Sequence, residues 1–496
     1  MPYWRVPYFG SSAMTRIARA LRAPAAAWLF ATCGVTLAGP APLTEEMLAP
    51  LTSAYVRAVK PGEQADLHRE LFATVLQRVQ RSYALEVDVP ALVGTAAKAI
   101  EPVKSHSADP AEVFRKAVNA ALAMLDPHSR YLDARAQMNE RSAITGSFGG
   151  LGMEVDMLDG LVRVVAPMPG TPAARAGLQA GDLIVRFDDH PVQGMALTDA
   201  IYRMRGLPGT PIVLRVRRAG SDDELTVPLV RETIRTEPLR WSMEGDVLVL
   251  RLASFTSSVT GALDKAIAEA TAWTFPRAIV LDMRGNGGGL LRQAITTADT
   301  FLSNGQIVSL RGRTLGNQRS WQADRAESLA GVPMVVLIDG RSASAAELVA
   351  AALQENGRAT VMGQRSFGKG SVQSVISLGA DRGALKLTTA LYHGPSGRSV
   401  QRTGVGPDIE LITTAPAPTR AGARREADRA KALPGMDEPA PPKARVEQAR
   451  CTPPRKEIDP ALACAIGFLQ AGAIDTFIAA LDPAPSSASL PAEAAQ

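Results

Sequence analysis

Short apolar runs alternate with helix-forming stretches through the second half of the chain. Apolar runs at 278–281, 334–338 and 359–362 predict buried strands. Residues 345–354 are dense in Ala, Leu and Glu, which favours a helix directly after the second run. Residues 371–376 predict a further strand. The polar residues between the second run and the helix therefore lie at a strand-to-helix turn.

The region before this core has a helical pattern. Residues 42–135 are rich in Ala, Leu, Arg and Glu, and apolar residues such as Leu71, Val75 and Val79 recur with helical spacing. We therefore expect an N-terminal helical region over 39–135. It packs on the core or forms a contact between two copies of the chain, and the sequence leaves this choice open.

The region after the core changes in composition. Residues 413–450 are rich in Ala, Pro, Arg and Lys, which predicts a disordered linker. An apolar helical pattern resumes at 461–481, so we expect a C-terminal helix within 451–482 and a flexible tail over 483–496.

The N-terminal residues 1–38 resemble a targeting segment. Arg16, Arg19 and Arg22 precede an apolar stretch at 25–37 that ends near small residues, as in a secretory signal peptide. The alternative is an uncleaved anchor in the inner membrane. In either case we expect export of the main part of the protein, which means the periplasm if the host is a Gram-negative bacterium.

Composition and charge limit the class of protein. A chain of 496 residues with 46% hydrophobic and 21% charged residues is long enough for about three domains. The net charge of +5 is small for this length, and no basic stripe is interleaved with aromatics, which argues against a nucleic-acid partner. Three cysteines supply no metal cluster. In an oxidising compartment Cys451 and Cys464 can form a disulfide, and the alternative is two separate buried thiols.

The candidate nucleophile is Ser344, in the strand-to-helix turn. There a hydroxyl is exposed, and the helix dipole and the free amides of the first turn face a developing anion. The alternative is that Ser342 and Ser344 are only helix N-caps, a position where serine is common for other reasons.

The candidate general base is Lys369, between Gly368 and Gly370. None of the five histidines lies in a motif that marks it as catalytic. A lysine can accept the proton of a serine only when neutral, so burial must lower its pKa from about 10.4 by several units. Gln373, four residues later, can hold the amine or a substrate carbonyl. The alternative is an ordinary exposed lysine in a turn.

Two other motifs overlap this segment. Residues 363–370 nearly match a phosphate-binding P-loop, but Gly370 stands where magnesium needs Ser or Thr. Residues 366–369 match the S-x-x-K motif of penicillin-recognising enzymes, but the S-D-N and K-T-G elements that accompany it are missing from the sequence.

A glycine run at 285–289 follows the first predicted strand. Glycines after a strand allow backbone amides to point into a site. The amides of Gly288 and Gly289 can form one half of an oxyanion hole, with the amide of Ala345 as the other half. The alternative is a flexible turn.

Three motifs together resemble the carboxy-terminal processing proteases, the tail-specific serine peptidases of family S41. They are Asp-Met-Arg-Gly-Asn-Gly-Gly-Gly at 282–289, Ser-Ala-Ser-Ala-Ala-Glu at 342–347 and Phe-Gly-Lys-Gly-Ser-Val-Gln at 367–373. The resemblance covers roughly 65–412. It implies an α/β multi-domain fold with a ClpP/crotonase-like protease core over 236–412.

The same resemblance implies the chemistry. Ser344 is the nucleophile, Lys369 the base and Gln373 its orienting partner, and no metal or other cofactor takes part. The implied substrates are proteins with unstructured, often apolar C-terminal tails. Glu347, by contrast, is interpreted from its position in the first helical turn as structural. The need for an adaptor protein and the number of copies in an assembly stay open.

A second module between the helical region and the core resembles a PDZ domain. The segment 148–155, a helix predicted over 196–204 and a strand predicted over 212–217 place it at 136–235. PDZ domains add a peptide as an extra strand and hold its terminal carboxylate in a nest of amides. The resemblance assigns that nest to Gly149, Gly150, Leu151, Gly152 and Met153.

The sequence therefore predicts a serine endopeptidase that cleaves proteins near their C-terminal tails. The PDZ domain either recognises the tail or gates the protease. The alternative is a catalytically idle scaffold whose PDZ domain binds protein C-termini.

Overall fold

The computed structural model describes residues 42–103, 108–221, 223–413, 425–435 and 438–481. The predicted signal segment and the predicted flexible tail lie outside these described residues. Among the described helices, none combines the length and the apolar character that crossing a membrane requires.

Helices are concentrated at the two ends of the described chain and around the core sheet. They are α1 Glu45–Ala58, α2 Glu63–Ser82, α3 Val89–Ile100, α4 Pro110–Leu122, α5 Ala134–Thr145, α6 Pro172–Arg175, α7 Leu197–Met204, α8 Val259–Trp273, α9 Leu291–Thr300, α10 Ala345–Glu355, α11 Pro460–Ala471 and α12 Ile474–Leu481. Short 3-10 turns lie at Leu315–Asn317, Glu426–Asp428 and Gln448–Arg450.

Strands fill the middle of the chain. They are β1 Arg130–Leu132, β2 Ser147–Gly150, β3 Met153–Leu158, β4 Leu161–Pro167, β5 Leu183–Phe187, β6 His190–Pro191, β7 Pro211–Arg217, β8 Leu225–Val230, β9 Glu232–Arg235, β10 Leu239–Glu244, β11 Val247–Leu252, β12 Ala278–Asp282, β13 Gln306–Arg311, β14 Arg319–Gln322, β15 Met334–Ile338, β16 Thr360–Gly363, β17 Ser371–Ser377, β18 Ala384–His393, β19 Ile409–Ile412 and β20 Ala444–Glu447. The strands predicted at 278–281, 334–338, 359–362 and 371–376 are confirmed.

The core is a mainly parallel sheet covered on both faces. Its strand order within the described residues is β10-β11-β12-β15-β16-β19-β20, and only the β10–β11 pair is antiparallel. Helices α8, α9 and α10 pack on one face, and α11 and α12 pack on the other. Strands β12 and β15 are buried at every position, which explains their unbroken apolar sequence.

Helix α10 begins directly after the turn at 339–344, which contains the candidate nucleophile Ser344 and is called the nucleophile turn below. Nearly all of its residues are buried, and the small alanine side chains allow close packing. The helix predicted at 345–354 is thus confirmed, one residue longer than expected.

A second, antiparallel sheet lies beside the core. Strand β18 pairs with β1, β13 and β17, and β14 continues the sheet from β13. Helices α1 to α4 pack on Leu385 and Leu387 of β18 and on Leu378, which directly follows β17. In this single chain the N-terminal helices therefore pack on this second sheet.

The PDZ region is a sheet with order β3-β4-β5-β7-β8 in the described chain, with β6 paired to β5 and a ribbon of β2 and β9 beside it. Its apolar residues form a core of their own, to which α7 contributes Ala200 and Met204. The helix predicted at 196–204 and the strand predicted at 212–217 are confirmed.

The prediction of a disordered linker over 413–450 is wrong for much of the part that the structure describes. Residues 425–435, called the C-terminal strap below, contain Glu426, which is fully buried and bonds His128. Strand β20 pairs in parallel with β19 as an edge of the core sheet. The composition was misleading because the polar residues find partners far away in sequence, 298 positions for Glu426 and His128.

The single predicted C-terminal helix is two helices. Helix α11 ends at Gly472, which adopts φ 75°, and α12 begins at Ile474. A left-handed glycine ends a helix because it carries no Cβ. Cys451 and Cys464 form a disulfide, which joins the strand-bearing segment to α11 across 13 positions.

We predict that replacing Cys451 and Cys464 with serine lowers the free energy of unfolding by about 3 kcal/mol, because the disulfide closes a short loop in the unfolded chain. Urea unfolding of the oxidised protein and the double variant measures the difference. A reducing agent should bring the wild type to the level of the variant and leave the variant unchanged. An unchanged wild-type midpoint, with two free thiols by mass, would contradict the disulfide.

Candidate active site

Ser344 lies where the sequence predicts it, in the turn between β15 and α10. Its backbone adopts φ 56° and ψ −114°, a conformation that residues other than glycine rarely adopt and that stores strain. The side chain is half-buried, and its hydroxyl donates no hydrogen bond within the described part of the chain. In the described chain, no protein group therefore accepts the proton of the Ser344 hydroxyl.

The carboxylate of Asp339 shapes this turn. One oxygen accepts the amides of Arg341 and Ser342, both at 3.0 Å, and the amide of Gly285 at 2.8 Å. Burial raises the pKa of Asp339, but these amides and the Arg341 guanidinium outweigh it and hold the pKa below its usual range. The same carboxylate therefore fixes the nucleophile turn and the start of the glycine loop.

Lys369 lies in the loop that leads from β16 to β17, called the lysine loop (residues 364–370) below. Burial, helped by the charge of Lys386, lowers the pKa of Lys369 to about 8, against the opposing charges of Glu426, Glu347 and Glu140. Within the described residues its amine makes no hydrogen bond or ion pair. A substantial neutral fraction near pH 8 is the property that a general base requires.

Glu347 joins these two segments through four hydrogen bonds. Its oxygens accept the amide of Ser344 at 2.8 Å, the hydroxyl of Ser366 at 2.6 Å, and the amides of Gly368 and Lys369 at 2.6 and 2.8 Å. The side chain is fully buried. Burial raises the pKa of Glu347, and the four donors oppose that rise because they favour the carboxylate.

Tyr392, on β18, makes a second connection between the same residues. Its hydroxyl lies 2.9 Å from the carbonyl oxygen of Ser344 and 2.9 Å from that of Lys369. Burial raises the pKa of Tyr392, so the phenol keeps its proton as a donor. In the described structure the hydroxyl of Ser344 and the amine of Lys369 are not hydrogen-bonded to each other. The two residues are therefore held near each other by the bonds that Glu347 and Tyr392 make to their backbones.

The glycine loop lies directly against the nucleophile turn. A Cβ added to Gly288 would lie 2.9 Å from the Cβ of Ser344 and 3.1 Å from the amide nitrogen of Ala345. The amide of Gly288 donates to Asn286 Oδ1 at 2.9 Å, so it is not available as an oxyanion donor. The amides of Gly289 and Ala345 donate no hydrogen bond within the described residues.

In the described structure no hydrogen bond joins Gln373 to the amine of Lys369. The Gln373 amide donates to Ser371 Oγ at 3.0 Å and to Thr388 Oγ1 at 3.2 Å. These bonds hold its side chain along β17 and β18. The role of Gln373 as the orienting partner of Lys369 therefore has no contact in this structure to support it.

The C-terminal strap also contacts the lysine loop. Gln401 accepts the amide of Gly370 at 2.9 Å and donates to Glu426 at 3.3 Å, and Glu426 bonds His128 at 2.9 Å. The guanidinium of Arg425 donates to the carbonyl of Ser366 at 3.1 Å. The strap thus continues the support that Glu347 gives to this loop.

The PDZ domain contains a groove between the start of β3 and the end of α7. The carbonyls of Leu151 and Gly152 accept the amides of Ala173 and Met168, both at 2.9 Å. The amides of Leu151 and Gly152 have no partner in the described chain. The cavity measures about 180 Å³ and is lined by Phe148, Gly150, Leu151, Gly152, Met153, Val155, Ile201, Met204 and Arg205.

Four of the five predicted nest residues line this groove, and Gly149 does not. Its carbonyl accepts the amide of Gly206 at 3.1 Å, and a Cβ added to Gly149 would lie 2.0 Å from the carbonyl oxygen of Gly206. Gly149 is therefore required for the close approach of these two backbones, not for the groove itself.

The sequence did not predict which residues support the site. Glu347 stands three residues after Ser344, the spacing of a capping box, so a connection to the turn could have been inferred. Its bonds to the lysine loop could not, because no short pattern links positions 21 residues apart. Tyr392 and Asn286 carry no sequence signal for their roles.

Comparisons with known proteins agree with these motifs. The model of peptidase family S41 matches residues 246–411, and a PDZ domain model matches residues 163–218. The chain is 45% identical over 305 residues to a carboxy-terminal-processing protease of Bartonella bacilliformis, which covers 61% of this chain and 70% of that protein.

Two further similarities were found. The chain is 30% identical over 318 residues to the carboxy-terminal processing protease CtpA of Bacillus subtilis, which covers 63% of this chain and 67% of that protein. A solved structure of a photosystem II D1 C-terminal processing protease aligns with 69% of this chain and 93% of its own, at 28% identity and a TM-score of 0.44.

We predict that Glu347→Gln lowers the free energy of unfolding by about 2–4 kcal/mol. The side-chain NH2 of glutamine would replace an oxygen that now accepts hydrogen bonds, so the donors that face it would lose their acceptor. Faster hydrogen exchange in the lysine loop should accompany the loss. Chemical denaturation and exchange mass spectrometry measure both effects.

The matched control is Glu355→Gln on the same helix. Glu355 is half-buried and accepts the amide of Ser396 at 2.9 Å, so its replacement should have a smaller effect. Equal, small losses for both variants would show that Glu347 does not hold the two segments together.

Proposed function

This chain belongs to peptidase family S41 as a serine-type carboxy-terminal processing protease with a PDZ domain, and we propose that Ser344 and Lys369 are its catalytic dyad. The observation that carries the proposal is the shared carboxylate of Glu347. It accepts the backbone amides of both residues at 2.8 Å, which holds a free serine hydroxyl and a lysine of lowered pKa in one site.

Catalysis begins with proton transfer to the neutral amine of Lys369. As Ser344 Oγ attacks the carbonyl carbon of a peptide bond, its proton moves to Lys369 Nζ. The resulting ammonium then gives this proton to the departing amine, which leaves an ester between Ser344 and the new C-terminus. Water, deprotonated by Lys369, attacks the ester, and the proton returns to Ser344 as the acid product leaves.

The oxyanion of each tetrahedral intermediate is stabilised by the amides of Gly289 and Ala345. Both are free in the described structure, and the position of Gly288 against Ser344 brings the two segments together. Gly288 contributes by its small size and by its bond to Asn286, not as a donor.

Only side chains need to move for the dyad to form. Glu347 and Tyr392 fix the backbones of Ser344 and Lys369. Among the described residues, no group accepts a hydrogen bond from the serine hydroxyl or from the lysine amine. Rotation about side-chain bonds then brings the two atoms together without rebuilding either loop.

The PDZ groove is the place where a substrate's C-terminal tail is held. The free amides of Leu151 and Gly152 suit a terminal carboxylate, and the apolar walls suit an apolar last residue. The substrates are protein chains with unstructured tails, which the dyad cuts upstream of the end that the PDZ domain holds.

The protein acts outside the cytoplasm, after export by its N-terminal segment. The sequence at 1–38 has the pattern of a signal peptide. The Cys451–Cys464 disulfide supports an oxidising compartment. Sequencing of the mature N-terminus, together with cell fractionation, distinguishes a cleaved signal from a retained anchor.

We predict that the protein degrades a loosely folded substrate with an apolar C-terminal tail, and that Ser344→Ala and Lys369→Ala each lower the rate about a thousandfold or more. Conversion of the substrate's terminal carboxylate to an amide should also slow the wild type. Time courses of substrate loss measure these rates.

Ser374→Ala is the matched control, because Ser374 is a half-buried serine on β17 that bonds Thr389 and lies outside the proposed dyad. It should retain wild-type activity. Cleavage by both dyad variants at the wild-type rate would contradict the dyad. No cleavage by any protein would favour the idle PDZ scaffold.

We predict that the rate rises with pH through about 8, because only neutral Lys369 accepts the serine proton and its pKa is lowered to about 8. Lys386→Met removes a nearby positive charge, so the pKa of Lys369 and the midpoint of the rate profile should move to higher pH. Glu426→Gln removes a negative charge and should move the midpoint to lower pH.

Rates of cleavage at saturating substrate, measured across pH for the three proteins, test this assignment. Equal midpoints in all three would show that Lys369 is not the group whose titration controls the rate. Circular dichroism at each pH separates a change in the site from loss of folded protein.

A further inference from the structure

Arg284 directly precedes the glycine loop (285–289) and binds two carboxylates at once. Its guanidinium donates to Asp282 at 2.9 and 2.7 Å, and to Asp459 at 2.7 and 2.8 Å. Asp282 is the last residue of β12, whereas Asp459 is the N-cap of α11, which packs on the face of the core sheet opposite α10. One side chain therefore connects the start of the glycine loop to the C-terminal helices.

Asp459 comes from a part of the chain that lies beyond residues 246–411, which match the S41 model. It lies inside the loop that the Cys451–Cys464 disulfide closes. Its neighbour Ile458 is buried, and so is most of α11 after it. The carboxylate that binds Arg284 is therefore held in place by a disulfide and by apolar packing, both outside the matched region.

The charges around Arg284 depend on Asp459. Burial by itself would lower the pKa of Arg284, but the bonds with Asp459 and Asp282 outweigh it and raise that pKa. Asp282 is shared, because Arg251 also pairs with it at 2.5 Å. Without the charge of Asp459, two guanidinium groups would have one carboxylate between them. The Arg284 side chain is only 20% exposed, so water would replace the lost partner only in part.

The position of Arg284 matters for the proposed oxyanion donor. The end of the glycine loop is fixed by the Phe255 amide, which donates to the carbonyl of Gly288 at 3.0 Å. Its start is set by Arg284, since the chain turns at Gly285 with φ 72°. A displacement of about 1 Å at a reacting centre can cost a large factor in rate. A loop that is free at its start would therefore aim the amide of Gly289 less accurately.

We propose that Asp459 is a positioning residue for the glycine loop, which it holds through Arg284. It does not touch the substrate, and it acts on the rate because it helps to fix the amide of Gly289. This inference rests on the proposed oxyanion hole and adds the C-terminal helices to the parts of the chain on which the reaction depends.

Asp459→Asn separates this role from the start of α11. Asp459 Oδ1 accepts the amides of Ala461 and Leu462, both at 3.1 Å, whereas Oδ2 faces Arg284 at 2.8 Å. Asparagine caps helices about as well as aspartate, so its oxygen can keep the two amides. Its NH2 group would then face the guanidinium, where donor meets donor. The variant thus removes the ion pair and retains the helix cap.

Glu244→Gln is the matched control. Glu244 pairs with Arg455, which lies in the same disulfide loop as Asp459, four positions earlier. Glu244 ends β10 opposite Val247, at the start of β11, and is thus at the end of the sheet away from the glycine loop. Its side chain is 10% exposed, so the loss of this pair should disturb folding at least as much as Asp459→Asn does.

The test measures kcat and KM for cleavage of the loosely folded, tailed substrate by full-length proteins. We expect Asp459→Asn to lower kcat about tenfold and to leave KM within about twofold, because the change affects the chemical step and not the binding of the tail. Glu244→Gln should retain the wild-type kcat. In a chain that carries Arg284→Met, the further change Asp459→Asn should have no effect, because the two residues act through one contact.

Several results would overturn the proposal. Equal losses of kcat in Asp459→Asn and Glu244→Gln would show that the C-terminal segment contributes to stability alone. An unchanged kcat in Asp459→Asn, or a full additional loss in the Arg284→Met chain, would show that Asp459 does not act through Arg284. A wild type that does not cleave the substrate would overturn the proposed function, and this inference with it. Urea unfolding of each variant identifies any loss of activity that is due to unfolded protein.

Discussion

The arrangement of this site depends on the buried carboxylate of Glu347. An isolated charge in the interior would be strongly unfavourable, but here both oxygens are covered by donors from two separate segments. Loss of any one donor would leave the charge less well compensated, so the four bonds support one another. The relative positions of Ser344 and Lys369 are therefore set by their backbones and not by a contact between their side chains.

A second carboxylate, that of Asp339, connects two segments in the same way. Asp339 connects the nucleophile turn to the glycine loop, as Glu347 connects it to the lysine loop. The carboxylates of Glu347 and Asp339 thus hold the nucleophile turn, the lysine loop and the glycine loop at one end of a parallel sheet. The hydroxyl of Tyr392 adds a bond to the carbonyl oxygens of Ser344 and Lys369. A site fixed in this way needs little rearrangement when charge develops on a substrate, which is the condition for effective electrostatic stabilisation.

Short sequence motifs predicted the candidate reactive groups but did not predict the residues that support them. Ser344 and Lys369 lie in short motifs next to apolar runs, so local patterns identified both. The role of Gln373 followed from the family resemblance and from its spacing after Lys369, and in the structure its amide donates to the hydroxyls of Ser371 and Thr388. The C-terminal strap was predicted as disordered because its composition is polar, and only the folded chain reveals that Glu426 meets His128.

The position of the C-terminal strap in the sequence has a consequence for synthesis. A ribosome makes Ser344 and Lys369 well before Arg425 and Glu426, and the edge strand β20 follows later still. A growing chain therefore passes through a stage that contains both residues of the proposed dyad without the groups that brace the lysine loop. Since domains fold as their residues emerge, the lysine loop gains this bracing only after Arg425 and Glu426 have been made.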